Sequence, residues 1–439
     1  MKKYVLLILI FTGATLGFAQ KDIVTYYPPD FKEIKEEYQI LNGDSSMIEG
    51  AYVKYFREGP VAMKGLFKQG KPDGLFTEYY ESGQVLSKTT YQDGQKTGPF
   101  EVLSKDGFPI QKGTYQAGQL EGLIQSFYPD GSIKKETQFL AGAPHGKAIT
   151  YFPNGEKQQV FNYENGQQHG PAQTYYDNGE ISSSFVYQNG VIEGEYVTYY
   201  KNGEKEWVYT YKKGYKNGAY ALYHSSGQLI EKGTYIDGIN DGIRSTFYTD
   251  GSKKQLETYQ RGAKIGKNYT YYPNGDIQRI EDYTRVTKDA VIRDYYPDGQ
   301  VKQEEFYKNG NKVGLWKLYH ENGQLAESVP YEDGAVNGYA KYYNEKGVLV
   351  REIPFQYNRN SGKENLYRDD GSPYQVITYL NGNKTGVFYE YFENGQTKIK
   401  GNFMMNNRQG KWTYYNESAE VIKTETYDRG RLMSSSDNE

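Results

Sequence analysis

YYPDGQVKQEEFYKNGNKVGLW, Tyr295–Trp316, decides the fold, because almost every feature in it recurs along the chain. From Gly299, steps of 24 residues land on glycine from Gly59 through Gly83 and Gly107 to Gly395, and the last step lands on Ala419. A second glycine slot lies 11 residues further on, from Gly70 to Gly430, broken only by Val286, Asn358 and Asn406. Asn is the non-glycine residue that best tolerates positive φ, so this slot demands a left-handed backbone. A third slot, four residues later, runs from Gly50 to Gly410 with Ala290 as its one exception. Most of the 50 glycines fall in these slots, so glycine here is architectural, and no phosphate-binding loop is needed to explain it. Internal repetition of this kind is read before any other signal.

Aromatic residues keep the same period. Three residues before the second glycine, all sixteen positions are aromatic, from Phe67 to Tyr427. Four before the first glycine stand Tyr55, Tyr79, Phe127 and their equivalents, with Leu103 departing. The segments between glycines, such as Leu75–Ser82 and Gln84–Asp93, have strand length and are rich in Tyr, Phe, Thr and Val. Asn or Asp precedes eleven of the sixteen first glycines, as at Asn154-Gly155, and this predicts two-residue hairpin turns there. The other connection, as in Gly70–Gly74, reads as a slightly longer glycine-bounded loop. No window has helical apolar spacing. The expected fold is all-β: an elongated single-layer ribbon of about sixteen stacked antiparallel hairpins over residues 50–433, stabilised between neighbours at about 4.8 Å per strand.

Outside the array, residues 20–49 lack the period and are expected to cap its first edge, and 434–439 read as a polar tail. Residues 1–19 have the layout of a secretory signal peptide: Lys2 and Lys3, an apolar stretch, then Gly17 and Ala19 as small residues before a cut. The paired losses at Val286 and Ala290 predict an irregular turn over 285–290. Export to the periplasm, outer surface or medium follows, with no stable membrane insertion after cleavage. The formal charge of -3, with both signs interspersed, gives no basic footprint for nucleic acid. Cysteine is absent, which removes disulfides, thiolate metal sites and a cysteine nucleophile. Tyrosine is the anomaly: 48 Tyr beside 19 Phe and 3 Trp, with a mean hydropathy of -0.85, suits a thin sheet with wet faces.

The pattern of Tyr295, Tyr296, Gly299, Tyr307, Gly310, Gly314 and Trp316, repeated at Tyr391, Gly395, Phe403, Gly410 and Trp412, resembles the MORN repeat in its bacterial variant. The resemblance implies a β-hairpin ribbon used for scaffolding and protein binding, and it extends to proteins labelled antitoxins. The expected partner is a protein or an envelope polysaccharide.

Candidate chemistry is sparse. His145 and His169 share a slot in adjacent tiles, about 10 Å apart, whereas zinc ligands lie about 2 Å from one ion. Neither a metal nor another cofactor is expected, and no catalytic constellation stands out. One aromatic row, three residues before the first glycine, holds Tyr80, Tyr128, Tyr176, Tyr200, Tyr248, Tyr272 and Tyr296, but also Ser104, His224, His320, Asn344, Arg368 and Asn416. A core slot rarely tolerates Arg or Asn. This row is therefore expected to be the exposed one and the contact surface, with sugar stacking as an alternative to protein binding.

Overall fold

The structure, a computed structural model, describes residues 19–29, 32–57, 59–284 and 288–437. The expected signal segment, apart from Ala19, and the centre of the expected irregular turn at 285–287 lie outside the described residues. Contacts divide the chain into two units, Met1–Tyr215 and Lys216–Glu439. Each is a single layer of antiparallel hairpins in sequence order, and no helix occurs among the described residues. None is therefore long and apolar enough to cross a membrane.

The turns exchange the roles that their sequences suggest. At the first glycine only the glycine is left-handed: Gly155 has φ 87°, while Asn154 keeps an ordinary backbone. Gly155 N donates to Phe152 O at 2.9 Å, and Asn154 Oδ1 accepts from Glu156 N at 3.1 Å. The ladder shifts register between Thr150 and Tyr151. This is a type I turn followed by a left-handed glycine bulge, the three-residue hairpin loop. The Asn or Asp is selected for its side-chain bond to the backbone two residues on, so the expected two-residue turn at this glycine is corrected. That turn occurs at the second glycine instead. Gln92 pairs with Gln95, and Asp93 and Gly94 between them have φ 48° and 85°. The glycine-bounded loop is thus two paired residues followed by a bulge at the third glycine. Asn358 and Asn406, at 66° and 69°, meet the left-handed requirement read from the sequence. The preceding residue is left-handed as well, even where it is Ala141 at φ 48°. Asn accepts this geometry at lower cost than Ala, so Ala141→Asn is expected to raise stability by about 0.5–1 kcal/mol in urea denaturation.

The tile between Tyr283 and Ala290 departs from this scheme. Elsewhere the third glycine bulges the strand, and the aromatic before the turn pairs two residues beyond the second glycine, as Tyr307 does with Lys312. Here Tyr283 pairs with Ala290 itself, and the ladder runs unbroken from there to Arg279–Asp294. Alanine does not favour the left-handed bulge, so the strand Ala290–Tyr295 starts straight.

The core is one column of side chains on one face, two residues beyond each third glycine, packed against the residues facing them. In the first unit Phe76, Phe100, Ile124, Ala148 and Ala172 are buried in it; in the second, Tyr220, Ile292, Ala340, Phe388 and Trp412. Volumes alternate across the ladder. Phe100 faces Gly113, Phe388 faces Gly401, and Ala172 faces Phe185. A Cβ on Gly401 would lie 2.3 Å from the Trp412 ring, so that glycine makes room for the indole. Strand glycines with ordinary φ, such as Gly113 and Gly401, fall outside the three 24-residue slots and serve packing, not turns.

At the start, Gln20–Tyr26 pairs with Ile34–Leu41, which pairs with Ile48–Tyr55, so the expected cap is itself a hairpin in the sheet. At the other end Arg431–Asp437 forms a strand on Val421–Asp428, exposed along its length. The polar tail thus continues the ladder, because main-chain pairing does not require apolar side chains.

Candidate functional site

The tyrosine row expected to be exposed is half-buried at all seven positions. Tyr80, Tyr128, Tyr176, Tyr248, Tyr272 and Tyr296 donate their hydroxyls to the carbonyls of Leu103, Tyr151, Tyr199, Tyr271, Tyr295 and Tyr319 at 2.7–2.8 Å. Each bond reaches 23 residues along, from one tile to the next. Burial pushes the phenols of Tyr200 and Tyr296 upward. Two of the polar substitutions in the row have another cause than exposure. His320 Nε2 meets Tyr343 O at 3.0 Å, and Arg368 Nη2 donates to Tyr391 O at 2.5 Å, so these two side chains take over the bond of the tyrosines, whereas Asn344 and Asn416 bond elsewhere, to Asp369 O and to the Glu420 carboxylate. The outer ring faces are also covered. Lys105, Lys134, Lys201, Lys254 and Lys302 stand 5.6–5.8 Å over Tyr80, Tyr128, Tyr176, Tyr248 and Tyr296. A sugar ring would have to displace an ammonium from each. Tyr128→Phe deletes one such bond and is expected to cost about 1 kcal/mol in a thermal melt; an unchanged melt would mean that the hydroxyl contributes nothing.

A second set of cations lies two residues beyond the second glycine, over the core column. Lys96 stands 5.1 Å from the Tyr115 ring, Lys312 4.0 Å from Trp316, and Arg408 4.2 Å from Trp412. Their periodic placement was legible, since Lys recurs there at 216, 264, 288, 312 and 384.

In the second unit the core column turns polar. Arg244 meets Glu231 at 2.6 Å and Glu257 at 2.7 Å, while Lys264 meets Glu257 at 2.8 Å and Glu281 at 3.0 Å. Arg279 continues the alternation between Glu281 and Asp294, both at 3.3 Å. Burial pushes the Glu231 and Glu257 carboxyls up, but hydrogen bonds from Arg244 and Tyr220 to the first, and from Lys264 and Arg244 to the second, leave both below the usual range. Asp294 goes the other way: burial raises it, and Arg279 only partly opposes that. Near the end, the Tyr414 hydroxyl and Lys423 hold Glu425 down to about 2. The ladder was not foreseen. Its signal was Arg244 and Asn268 in the column that elsewhere holds Phe and Trp, with Glu257 and Glu281 in the slot facing them, which elsewhere holds Phe185, Ile353 and Ile377.

Among the described residues, His145 and His169 included, no group of three or more His, Asp or Glu is placed to hold an ion. His169 Nε2 lies 3.7 Å from Glu164 instead.

Hairpins that repeat one backbone and bond mainly to their neighbours define a repeat array, a class of protein that presents a surface to other molecules. The chain is a MORN-repeat protein of the variant type. The family described as "MORN repeat variant" matches at residues 72–93, 120–141, 144–165, 168–189, 216–237, 288–309, 312–333 and 384–404. Every match begins a whole number of 24-residue steps from the first, so the family frame and the glycine period coincide. MORN repeats are in general binding and scaffolding repeats. No curated protein matches the sequence. Among solved structures, the chain is similar to the Photorhabdus luminescens Tc holotoxin pore at 14% identity and a TM-score of 0.15, covering 90% of this chain and 24% of that one. It is similar to the TcdB2–TccC3 structure at 12% identity and a TM-score of 0.15, covering 90% of this chain and 28% of that one. The chain thus spans about a quarter of the length of those structures, and likeness at these scores carries no argument.

Proposed function

We propose that the chain is a non-enzymatic exported scaffold that presents its array to a protein partner at the cell envelope. The slot one residue beyond the third glycine supports this most directly. The backbone there is repeated, yet the side chain changes from tile to tile: Leu75, Pro99, Leu123, Lys147, Pro171 and Glu195 in the first unit. Large apolar members stand in solvent, with Leu75 53% exposed, Ile243 58% and Tyr339 49%. Variable exposed residues on a constant frame are what a recognition surface requires. Export rests on Lys2, Lys3 and the apolar residues after them.

The test is cross-linking of the mature chain to proteins in isolated envelope fractions, alongside co-sedimentation with peptidoglycan and capsular polysaccharide. A protein adduct that falls at least tenfold with Leu75→Asp and Ile243→Asp is the expected result. Sedimentation with a sugar polymer, competed by free sugar, would overturn the reading in favour of carbohydrate binding. A toxin-class protein in the adduct would place the chain with the antitoxin-like members of its family.

A further inference from the structure

We infer that the unbulged tile around Ala290 carries a binding groove for a flat aromatic ring bearing an anionic group. The groove encloses about 580 Å³, within the range of small-molecule sites. Ala290 and Ile292 form its floor, Tyr283 and Tyr307 flank it, and Lys264 and Lys288 stand at its rim.

The neighbouring tiles show what such a space holds. One repeat further on, the Trp316 indole lies between Tyr307 at 5.3 Å and Tyr331 at 4.7 Å. Lys312 covers that assembly, 4.0 Å from Trp316 and 5.1 Å from Tyr331. The same sandwich recurs as Phe403, Trp412 and Tyr427 beneath Arg408. Between Tyr283 and Tyr307 the indole position is held by Ile292, which is smaller. The cation is displaced as well. Without the glycine bulge Tyr283 pairs with Ala290, whereas Tyr307 pairs with Lys312, the residue equivalent to Lys288. Ile292 faces two carboxylates: Glu281, which is paired with Lys264 and Arg279, and Glu305, which takes the Tyr307 hydroxyl at 3.1 Å and the Gln303 amide. Neither refills the column with apolar volume, and both are already engaged by partners of their own.

The ring class follows from this template, since two tyrosines one tile apart are spaced for an aromatic between them. The charge follows from the rim. Lys264 is neutralised by Glu257 and Glu281 at 2.8 and 3.0 Å. Lys288 is exposed, and among the described residues lining the groove it is the charge with no ion-pair partner.

The test uses two fluorescent probes of nearly equal shape, the anionic 8-anilinonaphthalene-1-sulfonate and the neutral N-phenyl-1-naphthylamine, titrated against the full chain. One saturable site is expected, with the sulfonate bound at least fivefold more tightly. Lys288→Gln, an exposed change that leaves the fold intact, should remove that preference and leave the neutral probe within twofold. Ile292→Trp, which refills the groove as Trp316 does, should weaken both at least tenfold without lowering the melting temperature. Equal affinity for the two probes, binding unchanged by either variant, or no saturable site would overturn the assignment.

Discussion

Trp412→Ala is expected to cost about 3–5 kcal/mol, the range for deleting a fully buried aromatic side chain, and to unfold the last tiles first. Trp412 is 1% exposed. Its ring stacks on Phe388 at 5.3 Å, meets Phe403 edge-on at 5.1 Å, and donates through Nε1 to Asn402 O at 3.2 Å. Because tiles in such an array are coupled mainly to their neighbours, the loss is local. Hydrogen exchange should show protection falling over residues 386–428 while the first unit is unchanged; a uniform fall would refute nearest-neighbour coupling. Gly401 supplies a companion test. With the indole present, Gly401→Ala overpacks the site and should cost about 1–3 kcal/mol. In the Trp412→Ala background the added methyl has space, and the change should be close to neutral. The difference between the two is the coupling energy of the pair, and additivity would show that the glycine is not there for the indole.

Arg244→Met is the second large effect, expected at about 3 kcal/mol because it strands Glu231 without a counter-charge and leaves Glu257 with Lys264 alone. Arg244 is partly exposed at 26%, which sets the figure at the low end of the range for broken buried pairs. The effect depends on pH in a defined direction. Both carboxyls lie below the usual range in the folded chain, so their ionised forms add stability above about pH 4.3, the value for an unfolded glutamate. That contribution is lost as the pH falls through the lower folded values. In the variant the folded value of Glu231 rises most, protonation relieves its stranded charge earlier, and the gap to the wild type narrows from pH 7 towards pH 3. Urea denaturation across that range measures it. A gap independent of pH would mean that Arg244 acts through packing alone.

The two cases differ in how they could be read. The period, the left-handed glycines and the strand lengths follow from spacing, because a backbone that needs positive φ restricts its residue type wherever it occurs. The turn types did not follow: Asn-Gly fits both a two-residue turn and a type I turn with a bulge, and the register of the flanking strands decides between them. For the tyrosine row, tolerance of Arg368, Asn344 and Asn416 suggested solvent, whereas Arg368, like His320 and the tyrosines, reaches a carbonyl of the next tile. Which carbonyl they reach is a distance between tiles, and no single tile contains it.

The sequence by itself determined that this is an all-β array of 24-residue hairpins belonging to the MORN variant family, because repetition constrains each tile in the same way. The tertiary structure alone decided which face is the core, that Gly401 stands under Trp412, that the second unit carries an ion ladder in its core column, and that Ala290 straightens a strand and opens a groove. Each of these depends on which residue of one tile lies against which residue of the next, and pairing register exists only once the sheet has formed.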